Sequence, residues 1–396
     1  MRSLYVFSFF KMFLVIMPVF VLILQGFGLS MAQVMQAQAV FAMTVALCEV
    51  PTGYFADRVG RKMSMQIGAF LYVVCYAYLN FVKSFDGVLI YEVSIAVAMS
   101  LVNGADVALL YDHVHQKREQ ESNIKDHAIG QAFANLHFSQ VFGESCAALL
   151  AGILAAYSMS WFGVDGMKSI LVAQALVGLV SLACSFKIIE AKVEARPRVN
   201  HKEQFINLIR LLTVEDFFAR NLLVALVTAG LSSFVAVWLL QNFWQSHQVA
   251  LGWYGLLWAS LNLTTGITGK FASAIKETIG FRGVLILIGA LPVVGYISMG
   301  VFPTAIAMVA CYGFYMSRGL TQVLLREQFN HHIPSALRAT ANSVQSFLFR
   351  GLFAIIGPIV GWGVDSYGLD KTVIMLGILF GVASLATLRS RLLVAS

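Results

Sequence analysis

The chain has 396 residues, of which 59% are hydrophobic and only 12% are charged. A soluble domain carries roughly 25% charged residues, so this composition excludes a soluble globular protein and predicts a polytopic membrane protein. The net charge of +7 does not indicate nucleic-acid binding, because the basic residues segregate to one predicted side of the membrane. Of the 27 Lys and Arg residues, only Lys83, Lys168 and Lys371 fall in the opposite loops, which predicts that both termini lie in the cytoplasm.

The apolar segments predict an all-α protein with twelve membrane-spanning helices. The predicted spans are residues 5–29, 33–55, 63–83, 87–111, 127–157, 167–188, 217–243, 249–275, 282–302, 304–327, 339–363 and 371–393. The longest polar stretch separates the sixth span from the seventh. We therefore predict an N-terminal six-helix bundle at 1–188, a cytoplasmic linker at 189–216 with an amphipathic helix around 205–212, and a C-terminal six-helix bundle at 217–396.

A short charged hairpin is predicted between the second and third spans. Its acid, its three bases and its two glycines are Asp57, Arg58, Arg61, Lys62, Gly53 and Gly60. The run resembles the signature loop of the major facilitator superfamily, G-x-L-A-D-R-x-G-R-K, which joins the second and third helices of those proteins. Phe55 stands where Leu is usual.

The resemblance implies the superfamily's fold, with two pseudo-symmetric six-helix bundles, and secondary transport by alternating access. It also implies that Asp112, at the end of the fourth span, pairs with Arg58 or Arg61. Asp57 is expected to face the start of the eleventh span. These contacts would form a charged latch that closes the cytoplasmic side of the outward-facing state.

The two halves of the chain look like repeats of each other. A shift of 215 positions places Asn103–Asp112 of the fourth span on Arg318–Glu327 of the tenth. After the eighth span, Gly280 corresponds to Gly60 of the signature run. Duplicated halves are typical of transporters that rock around a central site.

Charged and polar side chains inside a bilayer are costly and usually mark a transport pathway. The candidates for proton coupling or substrate binding are Asp106, Glu49, Glu144, Arg318, Arg350, Asn103, Asn135 and Gln345. Further intramembrane charges are Glu92, Arg326 and Glu327. The candidates of the N-terminal half are thus mainly acidic, whereas those of the C-terminal half are mainly basic.

Asp106 is the first choice for a proton-carrying or substrate-contacting carboxylate, and a structural hydrogen bond to a neighbouring helix is the alternative. Glu49, beside the bend expected at Pro51, either faces a cavity or caps backbone groups at that bend. Arg318 and Arg350 either supply positive charge to a binding site or extend toward the membrane surface.

Two departures from the superfamily's patterns leave the direction of transport open. Glu144 lies in a predicted seam of small residues that includes Ala147, Ala148 and Gly152. Antiporters of the superfamily carry Gly-Pro where this chain has Ala147 and Ala148. Its exporters often carry an arginine where this chain has Ser100.

No Walker-type glycine loop, no His/Cys metal spacing and no credible nucleophile–base pair occurs in the sequence. We therefore expect neither an enzyme nor a cofactor, and the five cysteines are interpreted as packing residues. The sequence favours a monomeric inner-membrane transporter that exports an amphiphilic or drug-like molecule in exchange for protons.

Two alternatives remain at this point. The first is a proton- or ion-coupled importer, or a facilitator, of a nutrient, siderophore or other organic anion that binds at Arg318 and Arg350. The second is a non-transporting sensor or lipid-handling scaffold. The intact signature run argues against the second alternative, because a rigid protein has no need of a breakable latch.

Overall fold

The computed structural model of the protein describes residues 1–120, 127–190 and 201–389. These residues form helices and, within those ranges, no β-strand, which confirms the predicted all-α class. Residues 191–200, with four of the ten charged residues of the predicted linker, lie outside the described residues. The same is true of 390–396, at the end of the predicted C-terminal bundle.

The helices of the first half of the chain are α1 Arg2–Lys11, α2 Phe20–Gly26, α3 Met31–Val59, α4 Arg61–Leu79, α5 Phe85–Val102, α6 Ala105–Gln120, α7 His127–Phe162 and α8 Gly166–Phe186. Those of the second half are α9 His201–Arg210, α10 Phe217–Ser246, α11 Gly252–Lys270, α12 Ala272–Val301, α13 Thr304–Leu320, α14 Arg326–His332, α15 Arg338–Tyr367 and α16 Leu369–Arg389. Leu211–Glu215 and Thr321–Leu325 are π-helical, and Met17–Val19 and Ser335–Leu337 are 3₁₀-helical.

Within the described ranges, eight helical segments are long and apolar enough to cross a membrane. They are Met31–Val59, Phe85–Val114, Gln131–Trp161, Gly166–Phe186, Phe217–Ser246, Ala272–Val301, Ser335–Tyr367 and Leu369–Leu388. The other four predicted spans are also helical but carry breaks or polar residues. The first is divided between α1 and α2 near Pro18, and the tenth ends its α-helical part at Leu320 before the π-helical segment. The third predicted span, α4, begins with polar side chains, and the eighth, α11, has polar side chains along its second half.

The fourth predicted span is broken and not continuous. Helix α5 ends at Val102 and α6 begins at Ala105, with Asn103 extended and Gly104 at a φ of +84° between them. A positive φ is readily adopted by glycine and is costly for most other residues. The break creates a helix N-terminus within the span, and the Val107 amide of its first turn is hydrogen bonded to Asp106 Oδ1 at 2.7 Å.

The signature run is mostly helical and does not form the predicted hairpin loop. Helix α3 continues to Val59 and α4 begins at Arg61, so the chain turns at Gly60 alone, with a φ of +107°. Gly280, which the repeat matches with Gly60, interrupts α12 with a φ of +71°. Both halves of the chain therefore turn at the equivalent glycine.

The chain divides into two compact units. Unit 1 comprises Met1–Leu29, Ala37–Arg196 and Val249–Ala259, and unit 2 comprises Ser30–Gln36, Pro197–Gln248 and Ser260–Ser396. In unit 1, α4 packs against α5 and α8. In unit 2, α12 packs against α13 and α16, which are the helices that the repeat makes equivalent.

Small residues permit close helix contacts inside each unit. In unit 1, a Cβ added to Gly143 of α7 would clash with the Phe9 carbonyl of α1, and one added to Gly255 would clash with the Ala148 carbonyl. In unit 2, a Cβ at Gly361 of α15 would lie 2.6 Å from the Met31 carbonyl oxygen. The predicted seam around Glu144 is therefore a helix-packing surface.

Helix α9 occupies the part of the predicted linker that follows residue 200. Its side chains Phe205, Ile206 and Ile209 are exposed, whereas Leu208 is buried. This helix covers 201–210, so it begins a few residues earlier than the amphipathic helix predicted around 205–212. Its exposed apolar side chains suit a position on a membrane surface.

Candidate functional site

A buried ion pair joins α1 to α6 in unit 1. Lys11 Nζ lies 2.6 Å from Asp106 Oδ2, and it also donates to Asn103 Oδ1 at 3.1 Å. The side chains of Lys11 and Asp106 are only 6% and 2% exposed. The lysine charge is therefore neutralised inside the unit, away from solvent.

The local backbone explains why these two residues meet. The turn at Gly104 places Asp106 in the first turn of α6, where its Oδ1 accepts a hydrogen bond from the Val107 amide at 2.7 Å. Lys11 is the last residue of α1. A carboxylate at a helix N-terminus and an ammonium group at a helix C-terminus are both favoured by the helix dipole.

The structure brings together two of the predicted candidates, Asn103 and Asp106, and adds a residue that the sequence reasoning missed. The predicted alternative for Asp106 was a structural hydrogen bond between helices, but its partner is the charged Lys11. The one sequence feature that points to this residue is a single lysine inside the first apolar run. The sequence analysis predicts that run as one continuous span.

A second buried carboxylate in unit 1 has a neutral partner. Glu92 of α5 is 2% exposed, and its Oε1 accepts a hydrogen bond from Gln38 Nε2 of α3 at 2.6 Å. An intramembrane acid whose partner is a neutral amide is a candidate for proton binding. When such an acid is protonated, no positively charged partner is left without a counter-ion.

The remaining acidic and amide candidates of the N-terminal half are less buried. Glu49 of α3 and Glu144 of α7 are half-buried. Asn135 of α7 is exposed, and its side chain is hydrogen bonded to Tyr5. None of the three is as deeply buried as Asp106.

The signature run builds an ion-pair cluster around Arg61 in unit 1. The Arg61 guanidinium pairs with Asp112, donates to the Ala108 carbonyl oxygen at 2.7 Å and lies 3.9 Å from Asp57 Oδ1. Arg61 is 7% exposed, whereas the Asp57 side chain is 72% exposed. The resemblance left Arg58 or Arg61 as the partner of Asp112, and the geometry selects Arg61.

The other residues of the run lie outside this cluster. The Arg58 guanidinium stacks over the Tyr54 ring at 4.6 Å. Gly53 has no neighbouring atom within 4 Å of an added Cβ. The Lys62 side chain is half-buried.

Acidic side chains cap the first turn of one helix in each unit. In unit 1, Glu190 accepts hydrogen bonds from the Arg61 amide at 2.9 Å and the Lys62 amide at 2.7 Å. In unit 2, Asp365 accepts hydrogen bonds from the Met31 amide at 2.9 Å and the Ala32 amide at 2.8 Å. These contacts satisfy backbone donors that a helix leaves free at its N-terminus. Sequence reasoning missed both caps, because their partners are distant in the chain.

Unit 2 contains a cavity of about 320 Å³ between α10, α15 and the segment from α13 to α14. Its lining residues are Leu226, Gly230, Ser233, Phe234, Arg318, Thr321, Gln322, Arg326, Gln345 and Phe349. Arg318 Nη2 donates to the Ser233 carbonyl oxygen at 3.1 Å, and the guanidinium lies 4.9 Å from the centre of the Tyr315 ring. Two cationic side chains therefore line this cavity.

The structure separates the basic candidates of the C-terminal half. Arg318 and Gln345 line the cavity, whereas Arg350 is half-buried and donates from Nε to Ser346 Oγ at 3.3 Å. Arg350 is not among the residues that line the cavity. Arg326 and Gln322, which were not among the main candidates, also line the cavity.

The sequence of the chain matches the family described as Major Facilitator Superfamily over residues 3–358. The chain belongs to the major facilitator superfamily. It is therefore a membrane-embedded, multi-pass transporter and not an enzyme. No curated protein matches the sequence significantly.

Solved structures of superfamily transporters share the fold. The nucleoside transporter NupG, crystallised as a mutant, has a TM-score of 0.80 at 10% identity, with 98% of this chain and 97% of that chain covered. A bacterial homolog of the human lysosomal transporter Spinster, in an inward-facing and unoccupied conformation, has a TM-score of 0.75 at 16% identity, covering 97% and 94%. A D-xylose-proton symporter has a TM-score of 0.73 at 15% identity, covering 98% and 96%. At these identities, the likeness establishes the fold.

Besides the Gln38–Glu92 contact, the described residues form polar clusters in both units. Unit 1 holds a charge-balanced cluster at Lys11 and Asp106 and a latch-like cluster at Arg61 and Asp112. Unit 2 holds the cavity lined by Arg318. The described residues contain no group of three or more His, Cys, Asp or Glu side chains that could hold a metal ion.

Proposed function

We propose that this superfamily member couples the movement of an amphiphilic organic molecule to the movement of protons. The observation that carries the proposal is the buried Lys11–Asp106 pair at the break between α5 and α6. A buried ion pair is costly to maintain in an apolar environment, and intramembrane charges usually serve transport.

The pair offers two states that differ by one proton. With Asp106 ionised, Lys11 is neutralised at 2.6 Å. With Asp106 protonated, Lys11 keeps only the neutral Asn103 oxygen as a near partner, so its buried position becomes unfavourable. Proton binding therefore favours a different placement of α1 against α6, and a ligand that prefers one placement becomes coupled to the proton.

Export in exchange for protons is the direction that the sequence favours. Uptake together with protons is the second candidate, and the cationic cavity of unit 2 supports it for an organic anion. Among the structural neighbours, the D-xylose-proton symporter is named as a protein that moves a solute together with protons. The sign of proton movement relative to solute movement distinguishes the two directions.

The proposal also includes a working monomer in the bacterial inner membrane, with both termini in the cytoplasm. Its support is the segregation of Lys and Arg to one predicted side of the membrane. Cysteines placed at Lys83 and Lys371 should react with an impermeant thiol reagent added outside intact cells, whereas one placed at Lys62 should not. The reverse pattern contradicts the proposed topology.

Proton movement in liposomes that contain the purified protein tests the function. A lipophilic cation, a neutral aromatic alcohol and an aromatic carboxylate are added separately, and internal pH is recorded. We expect one class to drive proton flux in the wild type, and Asp106→Asn to reduce that flux at least about tenfold. Asp165→Asn is the matched control, because Asp165 is an exposed cap of α8 and Asn also caps helices well.

Three results would contradict the proposal. Solute movement without proton movement indicates a facilitator, and full proton flux in Asp106→Asn excludes Asp106 as the titrating group. Absence of solute movement across the whole panel favours the non-transporting sensor or scaffold. If Asp106→Asn keeps full proton flux, Glu92→Gln, which removes the other deeply buried acid of unit 1, shows whether the Gln38–Glu92 contact carries the proton instead.

A further inference from the structure

We infer that the cavity of unit 2 is a binding site for the carboxylate end of an aromatic or similarly apolar organic acid, with Arg318 as its anchor. This inference rests on the proposed transport function and names the chemical class of the solute. The predicted alternative of an organic anion placed that anion at Arg318 and Arg350. The geometry replaces Arg350 with Arg326, Gln322 and Gln345.

Arg318 and Arg326 both line the cavity, and its lining contains no acidic side chain among the residues that the structure describes. Neither guanidinium has a carboxylate within salt-bridge distance in the described part of the chain. A half-buried cation such as Arg318 is unfavourable in a membrane protein when it has no counter-ion, so an anionic ligand would complete the site.

Arg318 is held in place by neighbouring groups of unit 2. Its guanidinium is held by the Ser233 carbonyl oxygen at 3.1 Å and by the face of the Tyr315 ring at 4.9 Å. A guanidinium carries five N–H donors in a planar fork that matches a carboxylate. The contact to Ser233 uses one donor and fixes the plane, which leaves further donors for a ligand and lowers the ordering cost of binding.

Apolar side chains form another part of the cavity lining. The rings of Phe234 and Phe349 lie 5.3 Å apart at an edge-to-face angle, and Leu226 adds a further apolar wall. A Cβ at Gly230 would lie 3.3 Å from the Phe349 ring, so glycine at this position leaves room for that ring. A volume of about 320 Å³ is at the lower end of ligand pockets and suits a small aromatic body.

The backbone between the two arginines is irregular. Thr321–Leu325 is π-helical, and such segments often mark functional sites. It places Gln322 and Arg326 on the cavity with Arg318, so that polar side chains recur along one face over roughly 10 Å. Arg318 is half-buried and Arg326 is exposed. The outer arginine is therefore suited to attract an anion that the inner one binds.

Equilibrium binding to the purified protein in nanodiscs of zwitterionic lipid tests the inference. The probes are benzoate and 2-naphthoate, with 2-naphthylmethanol and 2-naphthylmethylammonium as neutral and cationic counterparts, measured by calorimetry. We expect at least one carboxylate to bind at least about tenfold more tightly than the alcohol and the ammonium compound.

The variants locate that binding. Arg318→Gln should weaken carboxylate binding by about 10- to 100-fold. Arg318→Lys keeps the charge but loses the planar fork, and should cost about 3- to 10-fold. Arg326→Gln should cost about threefold, because its charge is exposed. Arg220→Gln is the matched control: Arg220 also stacks on an aromatic ring, Phe217 at 4.6 Å, but does not line the cavity.

Several outcomes would overturn the inference. These are absence of binding by both carboxylates, equal binding of the alcohol, or an equal loss in Arg318→Gln and Arg220→Gln. A lipid headgroup is the competing source of the anion. If phosphatidylglycerol in the nanodisc abolishes naphthoate binding, the site belongs to lipid and the inference fails.

The binding assay is independent of the transport assay. Arg318-dependent binding of a carboxylate without any proton flux contradicts the proposed function and leaves the binding site intact. Proton-coupled movement of a cation or alcohol that is unaffected by Arg318→Gln contradicts the binding site and leaves the proposed function intact.

Discussion

Two repeat-related segments of this chain differ in how their charged side chains are paired. Asn103–Asp112 in unit 1 contains an acid that is paired with a lysine at 2.6 Å, so its buried charges balance. Arg318–Glu327 in unit 2 places two arginines on a cavity whose described lining has no acid. The duplicated scaffold has thus diverged into a balanced cluster and a cationic pocket.

The backbone differs at the same positions. Gly104 adopts a φ of +84° and breaks the helix before Asp106. Its counterpart Gly319 remains helical and packs closely on α11, where an added Cβ would lie 2.6 Å from the Thr265 carbonyl oxygen. Of the two glycines at this repeat position, Gly104 therefore forms a turn, whereas Gly319 allows a close contact between helices.

The difference suggests a division of labour. A balanced pair changes its net charge when it takes up one proton, which suits coupling. A cationic pocket with fixed arginines stays charged at all physiological pH values, which suits the binding of an anion. Each of the following substitutions tests one side of this contrast.

The largest stability effect is expected at the balanced pair. Lys11→Met or Asp106→Asn alone leaves a buried group without its charged partner, at a cost of about 3–5 kcal/mol. The double variant Lys11→Met/Asp106→Asn removes both charges and should recover most of that loss. A double-mutant cycle measured by unfolding of the detergent-solubilised protein gives the coupling. Simple addition of the two losses would contradict a direct pair.

The two glycines should differ in what they tolerate. At Gly104 the limit is the positive φ, so Gly104→Asn should cost less than about 1 kcal/mol, because Asn tolerates this region. At Gly319 the limit is space, so Gly319→Ala should cost about 1–3 kcal/mol and Gly319→Asn more. Thermal unfolding of the four variants, including Gly104→Ala, checks this. Equal tolerance of Asn at both positions would contradict the contrast.

Smaller losses than at the balanced pair are expected at the two carboxylate caps. Glu190→Ala and Asp365→Ala should each cost about 0.5–2 kcal/mol, because each removes two hydrogen bonds to the first turn of a helix. Thermal unfolding measures both losses, with Glu277→Ala as a control at an exposed position of α12. A loss at Glu190 or Asp365 no larger than that of the control would show that the caps contribute nothing.

Sequence reasoning predicted the fold well because its signals are local. The apolar spans, the segregation of Lys and Arg and the signature run around Asp57 and Arg61 all lie in short stretches. The pairing of Asp112 followed from the resemblance, and the structure chose Arg61 over Arg58. The predicted hairpin is longer than the turn in the structure, because helix α3 continues to Val59 and the chain turns at Gly60.

The candidate sites were predicted only in part because they depend on contacts between distant residues. Asp106 and Asn103 were recognised as polar groups in an apolar span, but Lys11 is 95 positions away from Asp106. The caps at Glu190 and Asp365 are likewise formed across long separations. Arg350 was favoured over Arg326 because of its depth in its span, yet the cavity faces a different side of α15.

The most direct test of the division of labour records solute and proton fluxes together in liposomes, in Asp106→Asn and Arg318→Gln. We expect Asp106→Asn to lose proton-driven accumulation while it still exchanges a carboxylate solute across the membrane. We expect Arg318→Gln to raise the half-saturating solute concentration about tenfold or more, with an unchanged number of protons per solute. If each substitution instead reduces both fluxes in the same proportion, the balanced cluster and the cationic cavity do not have separate roles.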